Sequence, residues 1–172
     1  MSYQIELETK AQKLNDNYLI VKIPRNKSDS FTSRGQVMVE GLINNQPVKL
    51  PLEPDGNFGH WFNLNDLNLK NTKENLIIKL NQTGNWIEPN IPKDLMNAVK
   101  ASPAVFALWK SITPMARWEW IRWINSTANS ETRSKRITVT ISKMNKGERR
   151  PCCWNSNLCS DPLVAKNGVL NV

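Results

Sequence analysis

The chain has 172 residues, 40% hydrophobic and 22% charged, a composition that excludes a disordered protein. It fits one ordinary domain, or a small domain with a helical appendix. Its formal net charge is +8, and no apolar run approaches the ~20 residues needed to cross a bilayer. The charge is uneven: residues 93–150 hold 12 Lys/Arg and 4 Asp/Glu, an excess of +8, while the remaining 11 bases and 11 acids cancel. Such an asymmetry fits an anionic partner, whether nucleic acid, an acidic protein or anionic lipid. It equally fits helices that wear solvated lysines and arginines.

In chain order, the first half has strand grammar. The start, MSYQIELETK, carries no apolar h-region, so no signal peptide is expected and a cytoplasmic location follows as an expectation. Ile5, Leu7 and Thr9 alternate with charged neighbours, and YLIVKIP (18–24) is a short apolar strand ended by Pro24. Residues 24–35 are polar and turn-rich, leaving a long loop and a short helical turn both open. QVMVEGLI (36–43) and PVKLPLEP (47–54) flank Asn44, Asn45 and Gln46; asparagine tolerates positive φ, which predicts a tight hairpin. PDGNFG (54–59) is a second turn, leading into HWFNLN (60–65), and LIIKLNQ (76–82) closes the set. Six or seven short strands with regular turns predict a small barrel or sandwich rather than a βαβ fold.

The grammar changes at WIEPNIPKDL (86–95), a proline-rich linker. Pro92 opens a helix through about Ala101, with Leu95, Met96 and Val99 on one side. Ser102-Pro103 starts a second helix, and Thr113-Pro114 supplies an N-cap followed by proline for a third. Ser130-Glu131 opens the last, which runs to Gly147 as a C′ residue. The β-branched run ITVTI (137–141) keeps an extended alternative open there. The tail beyond Arg150 has no periodicity and is expected as an extended segment anchored by Trp154 and Leu158.

RWEWIRW (117–123) places three tryptophans and two arginines in seven positions. On a helix its apolar residues nearly encircle the axis, so burial explains the tryptophans, each covering ~150–250 Å². Buried arginines need partners, and Glu119 and Glu131 are the nearby candidates. Arg133, Lys135 and Arg136, followed by Lys143 and Lys146, then form a basic stripe on the last helix.

Two further clusters stand out. His60, the one histidine, follows a glycine turn beside Trp61 and could reach a barrel mouth near Arg34 as a small anion pocket. The alternatives are a hydrogen-bonded structural histidine and a surface Arg34 paired to Glu40 or Asp29. Cys152, Cys153 and Cys159 form a C-C-x5-C cluster without paired zinc spacing, so no metal is expected. Reduced structural thiols and redox-sensitive thiols with pKa lowered by Arg149 and Arg150 both remain open. No phosphate loop, nucleophile elbow or HExxH is present, so no catalytic residue and no cofactor are expected.

The stretch SRGQVMVEGLINNQPVKLPLEPDGNFGHWFNL resembles a small bacterial and archaeal β-barrel domain of unknown function. SPAVFALWKSITPMARWEWIRWINSTANSETRSKRI resembles the helical unit of the bacteriocin-protection family called YdeI or OmpD-associated. Together the two cover nearly all of residues 18–150, while Asp66–Asn75 departs from the basic residues and Gly-Asp turn usual in the family. The resemblance implies a closed barrel of the double-split type, distantly similar in topology to AbrB/MazE-like transcription factors, plus helices. It implies no established activity; the family label rests on protection from antimicrobial peptides.

The expected architecture is therefore α+β. A closed small β-barrel over 1–88 precedes three to four helices over 89–150 and an extended Cys-containing tail over 151–172. The expected role is a binding module that meets an anionic ligand or acidic protein through Arg34, His60 and Trp61 and through the basic helix. Nucleic-acid binding by a helix-turn-helix-like pair is the alternative, and a small barrel enzyme centred on His60 is a third reading.

Overall fold

Alternation in the first half does produce strands. The computed structural model describes residues 2–70 and 75–172. Strands β1 (Ile5–Thr9), β2 (Gln12–Lys13), β3 (Leu19–Ile23), β4 (Val37–Ile43), β5 (Gln46–Pro54), β6 (His60–Asn63) and β7 (Leu76–Gln82) form one sheet. Its order is β1-β7-β4-β5-β6-β3-β2, with every neighbouring pair antiparallel. The polar segment after Pro24 contains a single helical turn, α1 (Arg25–Ser28), whose Ser28 hydroxyl donates to the Ile23 carbonyl at 3.1 Å. Residues 71–74 of the departing segment lie outside the described residues.

The β4–β5 hairpin turns on Asn44 and Asn45, with φ of 47° and 62°, the paired positive values that match strand twist. Asn44 also continues the neighbouring ladder: its side chain accepts from the Ile77 amide at 2.8 Å and its own amide donates to the Ile77 carbonyl at 2.9 Å. Register from Ile43↔Gln46 to Val37↔Leu52 puts Val37, Val39 and Ile43 on the inner face with Leu50 and Leu52. Val21, Ile23, Phe62, Ile78 and Leu80 complete that core.

The expectation of a closed barrel is corrected to an open, half-barrel sheet. Its edges β1 and β2 do not pair with each other. Only Lys10 and Ala11 separate these edges in the chain, a reach of at most about 11 Å, so the sheet has to curl. The chain itself crosses the seam where a closing ladder would have run. β5 contributes the bend on the other side, pairing with β4 through Leu52 and with β6 from Glu53 onward.

The tail also differs from expectation. Strands β8 (Ala165–Lys166) and β9 (Val169–Leu170) make a small hairpin instead of one extended run. It covers the outward face of β3 and β6, where Ile20 and Trp61 pack with Cys159, Val164 and Leu170. The Leu170 amide donates to the Asp55 carbonyl at 2.8 Å. The anchors are thus Cys159, Val164 and Leu170, whereas Leu158 is exposed.

The chain divides into two units, Met1–Asn85 with Ser156–Cys159 and Val164–Val172, and Trp86–Asn155 with Ser160–Leu163. The second is helical: α2 (Lys93–Lys100), α3 (Pro103–Ser111), α4 (Pro114–Asn125) and α5 (Ser130–Asn145). Thr113 caps α4 by accepting from the Ala116 amide at 3.2 Å. Asn129, one residue before the expected Ser130, caps α5 by accepting from the Thr132 amide at 2.8 Å. The run 137–141 is helical because Ile137, Thr140 and Met144 share a buried face. Thr140 returns its hydroxyl to the Arg136 carbonyl at 2.9 Å, which satisfies it inside that face. Trp120, Ile121 and Ile124 of α4 join Leu95, Val99 and Trp109 in one core.

Two positions of the first unit are sensitive. A Cβ on Gly41 would run into the Lys79 carbonyl of β7, so Gly41→Ala forces the β4–β7 ladder apart. The expected loss is about 1–3 kcal/mol in urea unfolding. His60 heads β6 with no exposed surface; its Nε2–H donates to the Gly35 carbonyl at 2.9 Å, and Nδ1 has no partner. Burial holds its pKa below the usual histidine value, against the opposing pull of the Gly35 carbonyl. Between the folded and unfolded pKa the unfolded chain binds the extra proton, so stability is complete above about pH 6.5 and falls below it. The urea midpoint is expected to drop between about pH 7 and about pH 5.5, with that drop missing in His60→Gln.

Candidate functional site

Arg34, His60 and Trp61, the residues expected to form one anion pocket, do not converge. Residues 60 and 61 alternate across β6, sending the imidazole inward and the indole outward. His60 sits edge-on to Phe31, ring centres 5.4 Å apart, while Trp61 packs under the C-terminal hairpin. Arg34 stays at the surface, 2.6 Å from Asp29 and 3.3 Å from the Phe58 carbonyl. Its guanidinium lies 5.8 Å from the Phe58 ring centre, and Arg25 lies over the same ring at 4.5 Å. Phe58 is 53% exposed at a positive φ of 66°, so the PDGNFG turn presents an aromatic ring between two arginines. Sequence reasoning missed Arg25 and Phe58; an aromatic inside a glycine-rich turn was the available signal.

The basic stripe is broken by internal partners. Arg133 grips Asp94 through Nε and Nη2 at 2.7 and 3.0 Å and donates to Asn125 at 2.6 Å. That fork holds the Asp94 carboxyl below its ordinary value and raises the guanidinium above its own. Arg136 donates to the Trp123 carbonyl at 2.8 Å and to the Ser126 hydroxyl at 2.5 Å, and lies over the Trp123 ring at 5.6 Å. Lys135 makes a solvent-facing pair with Glu131 at 3.1 Å. Lys143 bridges Glu148 at 3.2 Å and Cys152 at 3.0 Å. Lys146 is exposed and lines a groove of about 650 Å³ against α2, floored by Ala98, Ala101, Ile137 and Ile141.

The arginines of RWEWIRW take partners other than those expected. Arg117 binds Glu88 bidentately at 2.9 and 2.7 Å, and Arg122 lies 5.1 Å over the Trp154 ring. Glu119 instead receives Arg150, at 2.6 Å from its Nε.

Cys152 and Cys153 are exposed, whereas Cys159 is buried beneath Trp61. Lys143 faces Cys152 and lowers its pKa, with Cys153 adding a smaller contribution, while the partner thiol raises that of Cys153. The arginines expected to do this turn away, Arg149 to the Ser111 carbonyl at 2.9 Å and Arg150 to Glu119. Among the described residues no group of three or more His, Cys, Asp or Glu could hold a metal ion.

Residues 88–147 match the family model described as bacteriocin-protection, YdeI or OmpD-associated. Residues 5–73 match a domain of unknown function, DUF1905. No curated protein and no solved structure matches the chain significantly. The helical match covers α2 to α5 with their arginine forks, and the other covers most of the half-barrel. The chain thus joins a stretch that matches the YdeI/OmpD-associated, bacteriocin-protection family model to an N-terminal stretch that matches a domain of unknown function.

Proposed function

We propose that the chain is a non-enzymatic cytoplasmic binding module of bacteriocin protection, and that its helical unit docks an acidic, amphipathic protein segment at the α2–α5 groove. The observation that supports this reading is where charge is left unneutralised. Each carboxylate in residues 93–150 is held by a base: Asp94 by Arg133, Glu119 by Arg150, Glu131 by Lys135 and Glu148 by Lys143. Lys93, Lys100, Lys110 and Lys146 are exposed with no carboxylate partner among the described residues. Lys146 stands at the groove, and Lys100 precedes its lining residue Ala101.

A partner with apolar side chains for Ala98, Ile137 and Ile141 and carboxylates for the lysines satisfies both features. Burial in the groove would supply affinity at ~25 cal/mol per Å², and the lysines would steer approach. The pocket of Arg34, His60 and Trp61 is the weaker part of the original expectation, since two of the three side chains are buried on opposite faces. A net positive unit also repels basic peptides, which favours an acidic partner over direct capture of a cationic one.

Bacterial cells carrying the chain are expected to survive a bacteriocin challenge better than cells without it, and the Lys100→Glu/Lys146→Glu variant is expected to lose that advantage. Equal survival with and without the chain sinks the reading.

The short 126–129 link between α4 and α5 favours nucleic acid as a second reading. Against it, Arg133 and Lys135 at the start of α5 are already paired. The four lysines of the helical unit without a carboxylate partner among the described residues set a ceiling of about −4 on that unit's slope of log affinity against log salt for a DNA duplex. A slope between about −2 and −4 supports this second reading, and absence of binding at low salt removes it.

A further inference from the structure

The thiol pair lies outside the binding reading and has its own geometry. α5 ends at Gly147, whose φ of 85° reverses the chain. The Glu148 amide donates to the Lys143 carbonyl at 3.1 Å and the Gly147 amide to the Met144 carbonyl at 2.9 Å, the double bond of a Schellman cap. The residues that follow fold back toward the last turn of the helix. Lys143 Nζ ends 3.0 Å from Cys152 Sγ and 3.2 Å from a Glu148 oxygen. Both neighbouring thiols remain exposed.

We infer that Cys152 is a peroxide-reactive nucleophilic thiol, positioned by Lys143, with Cys153 as its resolving thiol. The two cysteines are not equivalent. Lys143 offers an ammonium to Cys152 at 3.0 Å, which makes Cys152 the more readily ionised thiol of the pair, while the neighbouring Cys152 sulfur makes Cys153 the less readily ionised one. Glu148 opposes this weakly by its own charge, and is itself held by Lys143. These are the charged and titratable groups that face the sulfur.

With hydrogen peroxide as oxidant, the Cys152 thiolate attacks one peroxide oxygen. The S–O bond forms, the O–O bond breaks, and hydroxide leaves to be protonated to water. The sulfur is oxidised to a sulfenic acid and the peroxide is reduced. Cys153 sulfur then attacks Cys152 sulfur; the S–S bond forms, the S–O bond breaks, and the departing hydroxide takes the Cys153 proton as a second water. Two thiols and one peroxide thus become one disulfide and two waters.

The test is site-resolved alkylation by iodoacetamide of the full chain near neutral pH, read by peptide mass mapping, with buried Cys159 as the internal slow thiol. Cys152, whose thiol Lys143 makes easier to ionise, should alkylate faster than Cys153. Lys143→Met should remove that advantage, and Lys143→Arg should restore most of it. After peroxide treatment the wild-type pair should lose two hydrogen atoms, and Cys153→Ser should instead trap a sulfenic acid at Cys152 that dimedone labels. Equal alkylation of Cys152 and Cys153, indifference to Lys143→Met in a folded variant, or no dimedone adduct in Cys153→Ser each overturns the proposal.

Discussion

At the end of α3 the backbone carbonyls of Trp109 and Ile112 lack helical donors, and Arg117 in the first turn of α4 supplies both, at 2.7 Å each. The same guanidinium forks onto Glu88, so one side chain joins the end of one helix, the start of the next and the segment before α2. A planar donor fork can satisfy carbonyls and a carboxylate together; an ammonium cannot hold that geometry. Arg149 closes on the neighbouring Ser111 carbonyl, and Arg136 takes the Trp123 carbonyl at the end of α4. Helices α3 and α4 therefore end on arginine side chains, which also complement the negative ends of their dipoles. With those ends fixed, Trp120 and Ile124 are held against Leu95 and Val99 in the core.

This use of arginine decides how much of the site was legible in the sequence. Local signals were readable: Asn44-Asn45 specified a hairpin, Thr113-Pro114 a helix start and Gly147 a helix end, because each acts within a few residues. Pairings across tens of positions were not. Arg133 finds Asp94 and Arg117 finds Glu88, at separations of 39 and 29 residues. A helical wheel offers only Glu119 and Glu131, which are close in sequence and point elsewhere. Of the stripe Arg133, Lys135, Arg136, Lys143 and Lys146, three side chains take internal partners, while Lys135 and Lys146 stay exposed. The same holds for the sulfur: Arg149 and Arg150 adjoin the cysteines in the chain, yet the Schellman reversal brings Lys143 to Cys152 instead.

The first unit shows the complementary limit. Period-two patterning identified β1, β3, β4, β5, β6 and β7, since alternate burial leaves a readable trace. It could not say whether the sheet closes, because closure depends on which edges meet. It also could not identify the two-residue strands β8 and β9, which are too short to carry a period. Those strands matter for His60 and Trp61. The hairpin they form makes the outward face of β6 a second interior, so a Gly-His-Trp sequence that suggested a mouth is buried on both sides.

Arginine and lysine consequently divide the positive charge of the helical unit by chemistry rather than by position. Guanidiniums are weakly hydrated and enter partly buried forks, as Arg117, Arg122, Arg133 and Arg136 do. Ammoniums are strongly hydrated, and Lys93, Lys100 and Lys146 stay exposed, as does Lys110 over the Phe106 ring. Net charge counts both kinds equally, which is why it overstated the basic face available to a partner. Lys143 is the exception that follows from the same rule. It is a half-buried lysine with a point charge, and a sulfur atom needs a point charge rather than a planar fork. Among the described lysines of the helical unit it is the half-buried one, and it stands beside the exposed Cys152–Cys153 pair.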